Sequence, residues 1–209
     1  MIEYALMGGG GLSSELFDYM SSEGKKVVGY YDLHEDKNFS RWLPYLGDEH
    51  HATLNKKVHY IIATGILSLR RKMIQFIEDN ELIAGEFISK RAYVSRLATY
   101  GKGVVIAPFS IVSGTARLGD FVLMNINSIA AHDTNVGNNI VVGPGVIITG
   151  YCQIADDVTF GANAALIPDS KIGSNVEIGI GTFPRKVVGD NRLIATKPGK
   201  EFFNFKSVR

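Results

Sequence analysis

An apolar residue recurs every six residues from Val94 to Ile178 without a single insertion. The fifteen positions are Val94, Tyr100, Ile106, Val112, Leu118, Met124, Ala130, Val136, Val142, Ile148, Ile154, Phe160, Leu166, Ile172 and Ile178. Because 45% of the chain is hydrophobic and six registers are possible, chance placement would give this run roughly once in 10⁵ trials. The period is therefore a property of the fold, and helical periodicity is absent from this half of the chain.

A period of six predicts a chain that turns a corner after each short strand and points one aliphatic side chain inward per edge. The next residue is Gly, Ala or Ser in twelve of the fifteen hexads, with Asn125, Thr149 and Ile167 as exceptions. The fifth residue of each hexad is mostly small or β-branched, which predicts a second inward position and places Cys152 in the core. Three edges close a triangular coil, so fifteen hexads predict about five stacked coils.

The first 90 residues have the pattern of a small α/β unit. An apolar run over residues 2–7 breaks into Gly8-Gly9-Gly10-Gly11, which predicts a strand entering a glycine turn. Ser13 or Ser14 is expected to cap the helix that follows. Ser13 also stands where a dinucleotide-binding fingerprint has its third glycine, so binding of NAD is only weakly favoured.

Two further strands and a helix complete this unit. The second strand, Val27 to Tyr31, ends at Asp32, and the third, over residues 58–63, ends at the turn Thr64-Gly65. A helix over residues 67–77 is expected to expose the edge Arg70-Arg71-Lys72. The order of elements predicts a short parallel sheet, hence an α/β, Rossmann-like unit in front of the coils.

Composition and charge exclude several classes of protein. Lys and Arg total 22 against 21 acidic residues, and the net charge of +1 gives no footprint for nucleic acid. One cysteine cannot form an internal disulfide, and no signal peptide or membrane-spanning segment is recognisable. These observations predict a cytoplasmic protein that binds neither nucleic acid nor membrane.

The repeat ends near residue 183, and seven basic residues stand against two acidic ones from there to the C-terminus. This segment is expected to cap the coils and to form a basic tail that includes Arg185, Lys186 and Lys197. The predicted domains are therefore residues 1–90, 91–183 and 184–209.

His132 is the one histidine of five that lies in the hexads, at the corner of the seventh. An imidazole suits the role of general base because its pKa lies near working pH. One coil, made of three hexads, places Gly114 below His132 and Gly150 above it, which leaves room for a substrate and exposes backbone N–H groups to a reacting oxygen. Asp133 follows directly and can orient the ring through Nδ1. A solvated corner histidine and a turn aspartate are the alternatives.

The hexads resemble those of the left-handed parallel β-helix acyltransferases, trimeric enzymes that use acyl-CoA. With the glycine-turn unit in front, the chain is similar to the bacterial PglD/NeuD-like sugar acyltransferases, which acetylate nucleotide-linked amino sugars or related surface sugars. The resemblance implies a left-handed coil, a homotrimer with active sites at subunit interfaces, acetyl-CoA as cosubstrate and a nucleotide sugar as acceptor. The hexad pattern alone does not fix the hand.

The same resemblance implies roles for single residues. A His–acid pair on a middle coil is the family's catalytic base and an asparagine seven residues earlier contacts the acceptor, which matches His132, Asp133 and Asn125. Backbone amides one to three coils beyond the histidine hold CoA, and this carries over to three residues, with the first as oxyanion donor. The three are Gly150, Ala162 and Ile180. The glycine turn, the acid after the second strand and the turn after the third form the expected substrate site, which comprises Gly9, Gly10, Gly11, Asp32, Thr64 and Gly65.

The chain departs from the family at three places, which leaves the nucleotide and the sugar open. Leu12 and Leu33 replace a common histidine and a second acid, and Ile88-Ser89-Lys90 replaces an Ile-His-Pro segment. The expected reaction is N-acetylation of a nucleotide-linked amino sugar of the 4-amino-4,6-dideoxy type. O-acetylation of a sialic-acid-like sugar and a non-catalytic scaffold that binds a sugar nucleotide are the alternatives. The γ-carbonic anhydrases, another hexad family, need three metal-binding histidines, so no metal site is predicted.

Overall fold

A computed structural model describes residues 2–48, 50 and 54–196 of the chain. The N-terminal unit contains four parallel strands in the order β2-β1-β3-β4 and two helices. The strands are β1 (Glu3–Met7), β2 (Lys26–Tyr31), β3 (His59–Ile62) and β4 (Ile83–Ala84), and the helices are α1 (Gly11–Ser22) and α2 (Leu67–Asp79), with one 3-10 turn at Phe39–Arg41. Within the described ranges, neither helix has the length and apolar composition that crossing a membrane requires.

Helix α1 begins directly at the glycine turn, and no described side chain caps it. Gly10 is its N-cap residue and Gly11 its first helical residue. The expectation that a serine caps this helix is wrong, because Ser13 is buried inside the first turn. Its Oγ donates a hydrogen bond to the carbonyl oxygen of Gly8 at 2.5 Å. The hydroxyl therefore ties the turn to the helix.

From Phe87 the chain winds as a parallel β-solenoid with three faces. The first face contains β5 (Phe87–Ile88), β8 (Val105–Ile106), β11 (Leu123–Met124), β14 (Val141–Val142), β17 (Val158–Phe160), β20 (Val176–Ile178) and β22 (Arg192–Ile194). The second contains β6 (Tyr93–Val94), β9 (Ile111–Val112), β12 (Ile129–Ala130), β15 (Ile147–Ile148) and β18 (Ala165–Leu166). The third contains β7 (Thr99–Tyr100), β10 (Arg117–Leu118), β13 (Asn135–Val136), β16 (Gln153–Ile154), β19 (Lys171–Ile172) and β21 (Val187–Val188). We call the connections from first to second, second to third and third to first face the first, second and third corner.

The predicted fold class, a Rossmann-like unit followed by a β-helix, is confirmed. Each strand pairs with the strand three hexads further on, as Leu123 pairs with Val141. The inward positions from Ile106 to Ile178 are all buried, and so are the second inward positions, including Cys152. Tyr100 is 41% exposed because β7 is the end strand of the third face.

The solenoid is longer at both ends than the hexad count indicates. It begins one hexad earlier, at β5. The strands β21 and β22 pair with β19 and β20 after a step that is two residues short of three hexads, as between Lys171 and Val187. The loss of two residues ends the six-residue count near residue 183, but the first and third faces continue to stack beyond it. The predicted tail residue Lys197 lies outside the described residues.

The N-terminal unit packs on the outside of the first face. The outward residues Val105, Leu123 and Val141 belong to the same buried cluster as Leu16 and Ile61 of the unit. Helix α2 lies along the third corner, where Lys102 Nζ pairs with Glu78 at 3.0 Å. The two units therefore share a core, and the carboxyl ends of β1 and β3 are held at a fixed place beside the solenoid.

Helix α2 corrects the expectation of an exposed basic edge. Arg71 and Lys72 are exposed, but Arg70 is only 2% exposed. Its guanidinium donates to Asn139 and to the carbonyl oxygen of Phe121, both on the third corner. Helical periodicity places Arg70 toward the solenoid, and only the packing of the two units reveals that this side is covered.

The two remaining faces differ in their outward residues. The second face carries an apolar column that includes Tyr93 (63% exposed), Ile111 (37%) and Ile147 (42%). The third face carries mostly polar residues, among them Arg117, Asn135, Gln153 and Lys171. Apolar surface left uncovered over several coils is typical of a protein–protein contact.

The ladder predicts unequal effects for the neighbours Leu118 and Arg117. Leu118 is only 5% exposed, so Leu118→Ala leaves a cavity in the core. Because the neighbouring coils cannot close this cavity, the free energy of unfolding should fall by about 2–5 kcal/mol. Arg117→Ala, on the outside of the same strand, should change it by less than about 0.5 kcal/mol. Urea denaturation followed by circular dichroism measures both. Equal losses would contradict the assignment of inward and outward positions.

Candidate active site

The second corner holds the His–Asp pair. His132 follows β12, and its side chain is 55% exposed. Asp133 is in the left-handed region with φ 57°, a conformation that aspartate tolerates. His132 Nδ1 and Asp133 Oδ2 are 2.9 Å apart. A carboxylate at this distance accepts the Nδ1 proton of a neutral imidazole, so Nε2 keeps its lone pair and is the basic atom.

Thr115, one coil below Asp133, completes a short hydrogen-bond relay. Its Oγ1 donates to Asp133 Oδ1 at 2.8 Å and accepts the Asp133 backbone N–H at 3.1 Å. The hydrogen bonds from His132 and Thr115 lower the pKa of the Asp133 carboxyl. The carboxylate therefore stays ionised at neutral pH and keeps the imidazole oriented.

The coil above His132 forms the other wall of this corner. The Tyr151 ring meets the imidazole edge to face, with centroids 5.1 Å apart and an interplanar angle of 86°. A Cβ at Gly150 would lie 2.6 Å from His132 Cε1 and 2.8 Å from Nε2, so any residue other than glycine would displace the ring from this position. Gly114, on the other side, meets no such limit, since a Cβ there would be 3.8 Å from Ser95 Oγ. The ring thus leans toward Gly150 rather than standing midway between two glycines.

The sequence reading missed Thr115 and Tyr151. Both occupy the position of Asp133 in the adjacent coils, Thr115 one coil before it and Tyr151 one coil after it. The hexad register therefore contained the signal, because the residue one coil away from a functional side chain is its nearest neighbour along the solenoid.

Asn125 and two of the predicted CoA residues lie at the first corner, not beside His132. Asn125 follows β11, whereas Ala162 and Ile180 follow β17 and β20. The Asn125 side chain accepts a hydrogen bond from the Ile126 N–H at 2.7 Å. The first and second corners are opposite edges of the second face, so one chain does not bring Asn125 and His132 into contact.

Three backbone amides at these corners are free to bind a ligand. Within the described part of the chain, the N–H groups of Gly150, Ala162 and Ile180 donate to no protein acceptor. Gly150 is one coil above His132, while Ala162 and Ile180 are two and three coils above the height of Asn125. In height the three amides therefore span two coil steps, roughly 10 Å at the usual strand spacing.

The structure brings the predicted substrate residues of the N-terminal unit together around one cavity of about 330 Å³. Its lining includes Gly8 to Gly11, Asp32, Thr64 and Gly65. The Gly9 N–H donates to Asp32 Oδ2 at 2.6 Å, and a Cβ at Gly9 would lie 2.7 Å from the Tyr30 ring. A Cβ at Gly10 or Gly11 would meet nothing within 4 Å. The described residues do not fill the space in front of the α1 N-terminus.

A second cavity of about 300 Å³ continues from the first, and the two share Asp32, Leu69 and Met73. Its walls also include Phe76, whose ring meets that of His50 edge to face at 5.2 Å. Together the two cavities form a groove with a backbone-lined end at the glycine turn and an apolar end against α2.

Solved structures with the same fold share the whole length of the chain. The acetyltransferase domain of PglB from Neisseria gonorrhoeae in complex with acetyl coenzyme A is 21% identical, with a TM-score of 0.84, covering 96% of this chain and 98% of that domain. PerB from Caulobacter crescentus, in complex with CoA and GDP-perosamine, is 21% identical with a TM-score of 0.78 and 96% coverage of each chain. WeeI from Acinetobacter baumannii is 19% identical, with a TM-score of 0.82, covering 96% of this chain and 99% of that one. No protein-family model and no curated protein matches the sequence. The resemblance noted in the sequence is confirmed at the level of the fold.

The relay predicts that Thr115→Val raises the pKa of the Asp133 carboxyl toward its ordinary value. The substitution removes one of the two side-chain hydrogen bonds that favour the charged form. Because the pKa of Asp133 is lowered in the folded chain, the His132–Asp133 pairing is present above that pKa and is lost as pH falls through it, so Thr115→Val moves this loss to higher pH. Carboxyl ¹³C NMR of Asp133 measures the shift. Thr99→Val on the third face is the control, and an unchanged Asp133 pKa in Thr115→Val would remove Thr115 from the relay.

Proposed function

We propose that this chain is an acetyl-CoA-dependent acetyltransferase that N-acetylates a nucleotide-linked amino sugar. The observation that carries the proposal is the half-exposed His132, whose Nδ1 is hydrogen-bonded to an ionised Asp133 and whose basic Nε2 lies beside Gly150. The solved structures of this fold bound to acetyl coenzyme A, or to CoA with GDP-perosamine, support the same reaction.

In this proposal His132 is the general base and Asp133 its positioning residue. As the amine nitrogen bonds to the thioester carbonyl carbon, Nε2 accepts a proton from that nitrogen. The carbonyl oxygen becomes negative, and the Gly150 N–H is the proposed donor to it. The carbon–sulfur bond then breaks, and the imidazolium returns the proton to the departing thiolate. The products are the N-acetylated sugar and CoA, and His132 is neutral again.

The two corners become one acyl site if three copies assemble around an axis that faces the second face. The opposite edges of that face then meet between neighbours, so the first corner of one copy lies beside the second corner of the next. The exposed apolar column of Tyr93, Ile111 and Ile147 supports the burial of this face between copies. In such a homotrimer, His132 and Gly150 of one copy would work with Asn125, Ala162 and Ile180 of its neighbour.

The groove of the N-terminal unit is the proposed site for the nucleotide part of the substrate. The phosphates would lie at the glycine turn, because helix N-termini and free backbone amides favour anions. Helix α1 has no acidic residue in its first turn to compete with them. The apolar end, with Leu69, Met73 and Phe76, offers aliphatic and aromatic side chains against which a nucleobase can pack.

A panel of UDP-, dTDP-, CDP- and GDP-linked 4-amino-4,6-dideoxy sugars with acetyl-CoA tests the proposal. We expect thiol release with at least one amino sugar and none with the matching 4-hydroxy analogue. In His132→Ala, kcat should fall by roughly 10²–10⁴ while acetyl-CoA binds normally, because backbone amides hold the cosubstrate. Asp133→Asn should cause a smaller loss, since it leaves the base in place.

His59→Ala is the matched control, because His59 lies in β3 against Tyr4, away from the corner. Its kcat should equal that of the wild type. Wild-type turnover by a folded His132→Ala variant would remove His132 from the mechanism. Absence of thiol release across the whole panel would favour a binding scaffold, and turnover of the hydroxyl analogue alone would favour O-acetylation.

A further inference from the structure

Arg70 joins the two units of the chain from a buried position. Its Nη1 donates to the carbonyl oxygen of Thr64 at 3.1 Å, in the turn after β3. Its Nε donates to Asn139 Oδ1 at 2.9 Å and its Nη2 to the carbonyl oxygen of Phe121 at 2.5 Å, both on the third corner of the solenoid. With 2% exposure, the guanidinium is almost fully removed from water.

The charge of Arg70 has no anionic partner among the described residues. All three acceptors are neutral, and although burial lowers its pKa to about 10, the side chain is still protonated at neutral pH. Asp157, the carboxylate next in the network, accepts from Asn139 Nδ2 at 2.6 Å and pairs with Arg71 Nε at 3.0 Å. A buried cation without a counter-ion is costly, and an apolar side chain serves packing as well or better. Stability alone therefore does not account for Arg70.

Arg70 is hydrogen-bonded to a residue that lines the glycine-turn cavity. That residue is Thr64, whose carbonyl oxygen accepts the hydrogen bond, and its neighbour Gly65 belongs to the same lining. The N-terminus of α1 faces the same cavity and adds partial positive charge. Among the described residues of the lining, Asp32 has the one charged side chain, and the Gly9 N–H occupies its Oδ2. Apart from Asp32, the described lining residues carry no negative charge, and the α1 N-terminus together with the nearby Arg70 cation favours an anion in this cavity.

We infer that Arg70 supplies the buried counter-charge for the diphosphate of the substrate, through the Thr64–Gly65 turn and without touching the ligand. This inference rests on the proposed nucleotide site and adds a positioning residue to it. The charge acts across a low-dielectric interior, where screening by salt is weak. Binding of the anion completes a charge balance that the free protein lacks.

Exchanging the residues at 139 and 157 tests the inference without changing net charge or composition. The double variant Asn139→Asp, Asp157→Asn moves the carboxylate from Arg71 to Arg70. Both positions have φ above 50°, which Asn and Asp tolerate equally, and the hydrogen bond between them is kept with its direction reversed. Neutralising Arg70 in this way should weaken binding of the preferred nucleoside diphosphate about tenfold. Calorimetry with GDP, UDP, CDP and dTDP measures it, and acetyl-CoA affinity should stay within about twofold.

Substitutions of Arg70 itself separate charge from structure. Arg70→Lys keeps the charge and, because the inference rests on charge, should retain affinity within about threefold, whereas Arg70→Gln should lose about as much as the exchange variant. Arg71→Gln, on the exposed side of α2, is the matched control and should bind like the wild type. Equal loss in the Lys and Gln variants, or wild-type affinity in a folded exchange variant, would overturn the inference alone. A wild-type protein that binds none of the four diphosphates would overturn the proposed nucleotide site as well.

Discussion

The stacking of coils that contain three hexads each, up to the shorter last coil, is the constraint on which the rest of the molecule depends. Each coil buries its aliphatic residues only against the coils above and below it, so the register is fixed to the residue. The same register places Thr115 under Asp133 and Gly150 beside the His132 ring. The geometry of the candidate base is therefore a consequence of the core, and a shift by one residue would disperse it.

A closed triangular coil also determines where a site can form. In the described coils, side chains fill the interior of the solenoid. A ligand therefore binds outside it, at a corner or between the solenoid and another domain or chain. The N-terminal unit is one such body, and it covers the first face as far as Val141. The second face, with candidate residues at both edges, keeps an exposed apolar column, and in the proposed trimer further copies of the chain cover it. This division explains why the groove of the N-terminal unit and the His–Asp pair lie at different places on one molecule.

Much of the fold and part of the site could be predicted from the sequence, because hexads and glycine turns are local signals. The inward ladder, the burial of Cys152 and the grouping of Gly9, Asp32 and Thr64 around one cavity all follow from spacing along the chain. The wrong predictions concern contacts between distant segments. Arg70 is part of a basic run and reads as exposed until α2 is packed on the third corner.

Two other differences have equally physical causes. Serine is a common helix N-cap residue. In the folded chain, however, the Ser13 hydroxyl donates its hydrogen bond to the Gly8 carbonyl oxygen instead. The last coil is two residues short, so a search for strict hexads stops although β21 and β22 continue the sheets. Asn125 and His132 are close along the chain, and the coil places them at opposite edges of one face.

The central claim is that the acyl site is shared between the second corner of one copy and the first corner of the next. Mixing a His132→Ala chain with an Asn125→Ala chain during refolding tests it most directly, since each chain alone is expected to lack one of the two residues at every site. Each site takes His132 from one copy and Asn125 from the next. After random assembly of equal amounts into trimers, each residue is native in half of the copies, so about a quarter of all sites carry both. The account predicts acetyl transfer near that fraction of the wild-type rate. A mixture that forms mixed trimers yet stays as inactive as its parents would contradict it.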